Sequence, residues 1–130
     1  MENTTTCLND NKKFKVVKVI KIPMYSCIIQ IIITDDLIKT VNSIYKKYKI
    51  DDVFADSAEG CFITTDIDMY MLCLDIKYLT HNTIAHEIYH AVPKLTADRD
   101  INDEEAQAWL CGWLTEQVYK FIDKKQLIVK

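Results

Sequence analysis

The sequence predicts a single α+β domain with a mostly antiparallel sheet of about four strands and three helices. Three observations predict it. The chain has 130 residues and a mass of 15.1 kDa, a size at which one domain buries enough surface to fold unaided. Its residues are 49% hydrophobic and 27% charged, the balance of an ordinary globular protein. Short β-branched runs are interspersed with segments whose apolar residues recur at helical spacing.

The elements follow from these patterns. Residues 1–12 are polar and aperiodic, which predicts a flexible lead before a domain at 13–130. Runs rich in β-branched residues predict four strands, at 14–22, 24–33, 61–65 and 70–76. The last two strands are expected to form a hairpin. Helical periodicity predicts three helices, at 35–48, 82–93 and about 103–123.

Capping and breaking residues set the expected helix ends. Thr34 is a plausible N-cap for the first helix, and Thr80 or Asn82 for the second. Pro93 is expected to end the second helix, because proline lacks a backbone N–H and clashes with the preceding turn.

Charge and cysteine content exclude several classes of partner. A net charge of −3 argues against a broad basic face for nucleic acid, so no nucleic-acid partner is expected. The longest apolar run is too short to span a bilayer, and the polar start is unlike a signal peptide. Five cysteines without a CxxC pair indicate free thiols and a cytoplasmic location.

The second predicted helix carries an HExxH motif formed by His86, Glu87 and His90. Residues at i and i+4 lie on one face of a helix, so both imidazoles can reach a single ion. Zinc accepts neutral imidazole at about 2.0–2.1 Å. Glu87, beside the first ligand, is then placed to accept a proton from a water at the metal.

The motif is moderately specific. With three histidines and six glutamates in 130 residues, random order produces it with a probability of about 0.3%. Ile84, Ile88 and Val92 add an apolar seam, which predicts a half-buried helix. Two surface histidines and a glutamate on an ordinary helix are the alternative interpretation.

A third ligand is needed for tight zinc binding. Thr96 occupies the position at which HExxHxxGxxH requires histidine, so the candidates are acidic. Glu105 shares a helix face with Ala108 and Gly112, whose small side chains would allow a close approach to the HExxH helix. Glu105 is therefore favoured over Glu104 as the third ligand. The same acidic turn would also complement the dipole of the last helix without binding metal.

The sequence HEIYH at 86–90, followed by EEAQAWL at 104–110, resembles gluzincin-type zincin metallopeptidases. It looks most like the small zincins of phages and mobile elements, including the ImmA/IrrE group. The resemblance covers residues 69–123. It implies a small zincin-like domain, a phage-encoded protein acting in the host cytoplasm or virion, and a peptide or protein substrate. The chain lacks room for the additional domains that many ImmA/IrrE proteins carry.

The predicted function is zinc-dependent peptide-bond hydrolysis. Glu87 is the expected catalytic base, and His86, His90 and Glu105 are the expected ligands of one Zn²⁺. By analogy with zincins, the strand at 70–76 is the candidate edge for holding a peptide. No residue is clearly assigned to the oxyanion. His81 and Tyr119 are the candidates considered.

A non-enzymatic function is the alternative. The same fold would serve as a metal-stabilised structural or inhibitory protein that binds a host factor. The short chain and the unassigned oxyanion residue favour this alternative. The sequence does not indicate an oligomeric state.

Overall fold

The computed structural model describes residues 13–52, 54 and 58–130, so the predicted flexible lead at 1–12 lies outside the described residues. It is a small α+β domain. Four strands form one sheet: β1 (Lys15–Ile22), β2 (Cys27–Thr34), β3 (Gly60–Thr64) and β4 (Met69–Asp75). Three α-helices pack on this sheet: α1 (Leu37–Lys47), α2 (His81–Ala97) and α3 (Glu104–Lys124).

The sheet is mixed, with the strand order β1-β2-β4-β3. The β1–β2 and β3–β4 pairs are antiparallel, and the latter forms the predicted hairpin. The central β2–β4 pair is parallel, so the expected mostly antiparallel sheet has a parallel pair at its centre. The chain can make this pair because it leaves β2 through a long crossover that contains α1 and β3.

The helices divide between the two faces of the sheet. α2 and α3 cover one face and enclose the larger core, in which Ile29, Leu74, Leu95 and Leu114 are fully buried. α1 covers the other face, where Val41 packs near Ile32, Met71 and Cys73 in a smaller core. Among the described helices, none is both long and apolar enough to cross a membrane.

Two predicted helix ends are wrong. Asp36, rather than Thr34, caps α1, because its Oδ1 accepts the backbone N–H of Lys39 at 3.1 Å. Pro93 lies inside α2, which continues to Ala97. The turn beyond Pro93 buries Leu95 and Thr96 completely, and this packing outweighs the cost of about 3 kcal/mol for proline in a helix.

Arg99, the only arginine, joins three turns at one end of the sheet. Its Nε donates to the carbonyl of Tyr25 at 2.8 Å, in the turn between β1 and β2. Its Nη2 lies 3.3 Å from Asp68 Oδ1, in the β3–β4 hairpin. The guanidinium also lies over the ring of Tyr70, 6.0 Å from its centroid. The turn between α2 and α3 is thereby fixed to both hairpins.

We expect Arg99→Lys to destabilise the domain by about 1–3 kcal/mol, because an ammonium group cannot reproduce these contacts and leaves the Tyr25 carbonyl without its donor. Urea denaturation measures the change. Lys94→Gln is the matched control, since the Lys94–Asp98 pair is exposed and 4.0 Å long and should contribute under 1 kcal/mol. Equal stability of Arg99→Lys and the wild type would show that the three turns do not depend on the guanidinium.

Candidate metal centre

The two histidines of the HExxH motif converge. Both lie on the exposed side of α2, and their Nε2 atoms are 3.1 Å apart. Two imidazole nitrogens bound to one zinc at about 2.0–2.1 Å and a tetrahedral angle would be about 3.3–3.4 Å apart. His86 and His90 thus already have nearly the separation that a shared ion requires. In the absence of an ion, the same distance fits one neutral ring donating to the other.

Glu87 lies beside this pair but points inward. Only 6% of its surface is exposed. Burial raises the pKa of its carboxyl group, while the nearby charges of His86 and His90 oppose that rise. A desolvated carboxylate beside two imidazoles is suited to accept a proton from water.

A cavity of about 440 Å³ lies along the junction of α2 and β3, and these side chains contribute to its lining. Its lining comes from two segments of the chain, one leading into β3 and one on α2: Ala58, Glu59, Gly60, Cys61, Phe62, Asn82, Thr83, His86, Glu87 and His90. The first segment was missed in the sequence, which contains no motif at 58–62. A substrate in this cavity would lie between the HExxH helix and the strand.

Gly60 makes room for Glu87. A Cβ atom at position 60 would lie 2.7 Å from the Cγ of Glu87 and 3.1 Å from its Oε2. Any larger residue would therefore displace the carboxylate. The sequence offered one indirect signal, because the chain has only two glycines and this one directly precedes the strand predicted at 61–65.

Glu59 is a second carboxylate at the cavity that sequence reasoning missed. The hydroxyl of Thr83 donates to its Oε1 at 3.1 Å. Thr83 in turn accepts from the hydroxyl of Thr80, the N-cap of α2, at 3.0 Å. The cap of the HExxH helix therefore also positions Glu59.

The structure does not bring Glu105 to the histidines. α3 contacts the flank of α2 that carries Thr96, whose Oγ1 lies 3.3 Å from Nε2 of Gln107. At about 100° per residue, the directions of Thr96 and His90 differ by about 120° around α2. α3 therefore packs on a different side of α2 from the one that carries His86 and His90.

The small residues that favoured Glu105 face solvent instead. Ala108 is exposed, and a Cβ atom added to Gly112 would meet nothing within 4 Å. Glu104 and Glu105 are also exposed, in the first turn of α3. The expectation that this face packs closely against α2 is wrong, and Glu105 as a ligand stays a prediction that the packing does not support.

The side chains around the two histidines meet only part of what a zinc site requires. His86 and His90 supply two imidazoles at a suitable separation. Within residues 13–52, 54 and 58–130, no three His, Cys, Asp or Glu side chains group closely enough to hold a metal ion. Among the described residues, a zinc site at this position would have two protein ligands and would need further donors from elsewhere.

The two residues considered for the oxyanion contact each other instead. Nδ1 of His81 and the hydroxyl of Tyr119 are 2.6 Å apart, and their rings stack. Neither residue lines the cavity. This contact connects the start of α2 to α3, so the two side chains help to position the helices relative to each other.

The prediction that the strand at 70–76 is an edge strand is also wrong. The predicted strand at 70–76 corresponds to β4, which lies between β2 and β3 inside the sheet. β3 is the strand beside the cavity, and β4 is its only neighbour among the described strands. The order of strands is set by long-range pairing, which the local pattern of residues does not reveal.

Cys61 and Cys73 face each other across β3 and β4 in a largely apolar environment. Burial raises the pKa of the Cys61 thiol to about 11 and raises that of Cys73 further above its ordinary range. We expect iodoacetamide at neutral pH to alkylate exposed Cys111 well before either of them. Peptide mass mapping over time measures the order, and early modification of Cys61 would contradict it.

Compared with protein-family models, with curated proteins and with solved structures, the chain matches none of them. The resemblance to zincins therefore depends on the chain's own residues, above all the HExxH motif on α2.

Proposed function

We propose that this protein is a zinc-dependent metallopeptidase whose active site is the cavity between α2 and β3. The observation that carries the proposal is the 3.1 Å convergence of His86 and His90 beside the buried carboxylate of Glu87. An HExxH helix alone would be compatible with surface histidines. The additional cavity and adjacent edge strand give a substrate a place to bind.

The proposed roles divide between the metal and Glu87. His86 and His90 would hold the zinc, which polarises a carbonyl group and makes a water molecule more acidic. Glu87 would take a proton from the attacking water and pass it to the departing amine. Its buried position keeps bulk water from competing for that proton. The proposed substrate is a peptide or protein.

The outer edge of β3 supports a peptide substrate. Asp75 N donates to Glu59 O at 3.2 Å and Thr65 N to Met69 O at 3.2 Å. Alternation along an antiparallel ladder then turns the backbone groups of Gly60 and Phe62 away from β4. An extended peptide could pair with these groups and place its scissile bond at the cavity.

The packing of α3 favours a second candidate function, a binding protein without catalytic activity. Because Glu105 on α3 is exposed, the described residues bring two rather than three candidate ligands together. Such a protein would use the cavity and the β3 edge to bind a partner without cleaving it.

A peptide-cleavage assay separates the two functions. The wild type is incubated with a mixed decapeptide library and zinc, with and without a chelator, and products are identified by mass spectrometry. The metallopeptidase proposal predicts cleavage that the chelator abolishes and zinc restores. Absence of cleavage by protein shown to contain zinc would contradict it and favour the binding function, and chelator-resistant cleavage would contradict the role of the metal.

A further inference from the structure

The sheet face that carries α1 is only half covered. On this face β1 alternates Lys15, Val17, Val19 and Lys21, and the neighbouring strand contributes Ile28 opposite Lys21. The exposed fractions are 41% for Val17, 56% for Val19 and 39% for Ile28. We name this region, made of these five residues, the β1 strip. It is an apolar surface without a covering element among the described residues.

The width of the sheet indicates how wide the uncovered region is. Four strands at about 4.8 Å each make a sheet about 19 Å wide, and a helix with its side chains is about 10 Å across. Within the described part of the chain, one face carries two helices, α2 and α3, whereas the other carries α1 alone. The β1 strip is therefore about one helix wide.

Two depressions follow the strip. One, of about 170 Å³, lies between β1 and α1 and includes Val17, Lys15 and Lys47 in its lining. The other, of about 600 Å³, continues along the strip to Val19, Ile28 and Lys21. We call the two depressions together the groove; each combines apolar side chains of the strip with at least one lysine.

The charge of the groove is locally positive in an acidic protein. Lys15, Lys21 and Lys47 form no ion pair with the part of the chain that the structure describes. The nearby acid Asp68 is already paired with Arg99 at 3.3 Å. Lys47 Nζ lies over the ring of Tyr48, 5.4 Å from its centroid, a contact that leaves its charge uncompensated. An occupant with acidic side chains would therefore meet lysines at both ends of β1 and on α1.

We propose that the β1 strip is a docking site for an acidic amphipathic helix of a partner protein. Leucine-like side chains of the helix would cover Val17, Val19 and Ile28, and its carboxylates would face Lys15, Lys21 and Lys47. The six residue steps from Lys15 to Lys21 span about 20 Å, which corresponds to about 13 residues of helix. β1 and β3 are opposite edges of the sheet, so a docked helix leaves the cavity open, and the proposal does not depend on peptidase activity.

The test uses a fluorescein-labelled peptide of 14 residues with leucines at i, i+3, i+4 and i+7 spacing and glutamates elsewhere. Fluorescence anisotropy should show saturable binding that weakens with added salt. Val19→Asp and the double variant Lys15→Glu/Lys47→Glu should each weaken binding at least tenfold. The matched control is Lys120→Glu/Lys124→Glu on α3, which should bind like the wild type.

Several outcomes would overturn the proposal. The acidic peptide could fail to bind, or a peptide with lysines in place of the glutamates could bind equally well. The groove variants could also bind the acidic peptide with the affinity of the wild type. Sedimentation that shows a dimer dissolved by Val19→Asp would assign the strip to a second copy of the chain. Displacement of the peptide by a single-stranded oligonucleotide at lower concentration would assign it to nucleic acid. Circular dichroism confirms that each variant is folded.

Discussion

Glu87→Gln is expected to reduce peptide cleavage by at least about 100-fold while leaving zinc bound, because glutamine fills the same space but cannot accept the proton. The substitution removes a carboxyl group whose burial already disfavours its charge. The folded state should therefore be no less stable than that of the wild type. Initial rates on a peptide identified in the cleavage assay measure the loss, and elemental analysis measures the retained zinc.

Glu105→Gln is the matched control for this experiment. It makes the same chemical change at an exposed position in the first turn of α3, and the structure predicts unchanged zinc content and cleavage. A loss of zinc from Glu105→Gln would instead establish Glu105 as the third ligand. Cleavage by Glu87→Gln at the rate of the wild type would contradict the assignment of the base.

Gly60→Ala is expected to destabilise the protein by about 1–3 kcal/mol and to impair cleavage. The added methyl group would lie 2.7 Å from the Cγ of Glu87, so the buried carboxylate must move or the strand must shift. Urea denaturation measures the stability. Gly112→Ala is the control, because its Cβ would enter open space on α3 and should stabilise the helix by about 0.5–1 kcal/mol.

A double-mutant cycle shows whether Glu87 causes the Gly60 effect. In the Glu87→Ala background the clash is absent, so Gly60→Ala should leave the free energy of unfolding almost unchanged. The two substitutions should then be coupled by about 1–3 kcal/mol. Equal costs of Gly60→Ala in both backgrounds would show that the strand excludes a side chain at position 60 for another reason.

Local features of the fold could be predicted because they depend on neighbours in sequence. The β-branched runs predicted all four strands to within a few residues, and the last two strands form the expected hairpin. Asp103 stands where the last helix was predicted to begin, and it is the N-cap of α3. The second strand begins at Cys27 rather than 24, because Met24 and Ser26 adopt positive φ values in the turn.

Long-range packing decided what the sequence could not show. The parallel pairing of β2 with β4 places β3 rather than β4 at the edge. At Pro93, burial of the following turn overcomes the local preference to end the helix. The sequence correctly places His86 and His90 one turn apart, since this depends only on the period of the helix.

The position of Glu105 relative to the candidate site also depends on long-range packing. Its helix face depends on which stripe of α3 is buried, and Leu110, Leu114 and Val118 form that stripe. Whether this face meets the histidines depends on the side of α2 that α3 contacts. That side is fixed by tertiary contacts such as the one between Thr96 and Gln107.

The central claim is that His86 and His90 bind one divalent ion together, and the zinc content of the purified protein tests it most directly. After dialysis against zinc-containing buffer and removal of free metal, elemental analysis should find one zinc per wild-type chain. His86→Ala and His90→Ala should each lose nearly all of it while remaining folded. Wild-type protein without zinc, or full zinc content in both variants, would contradict the claim.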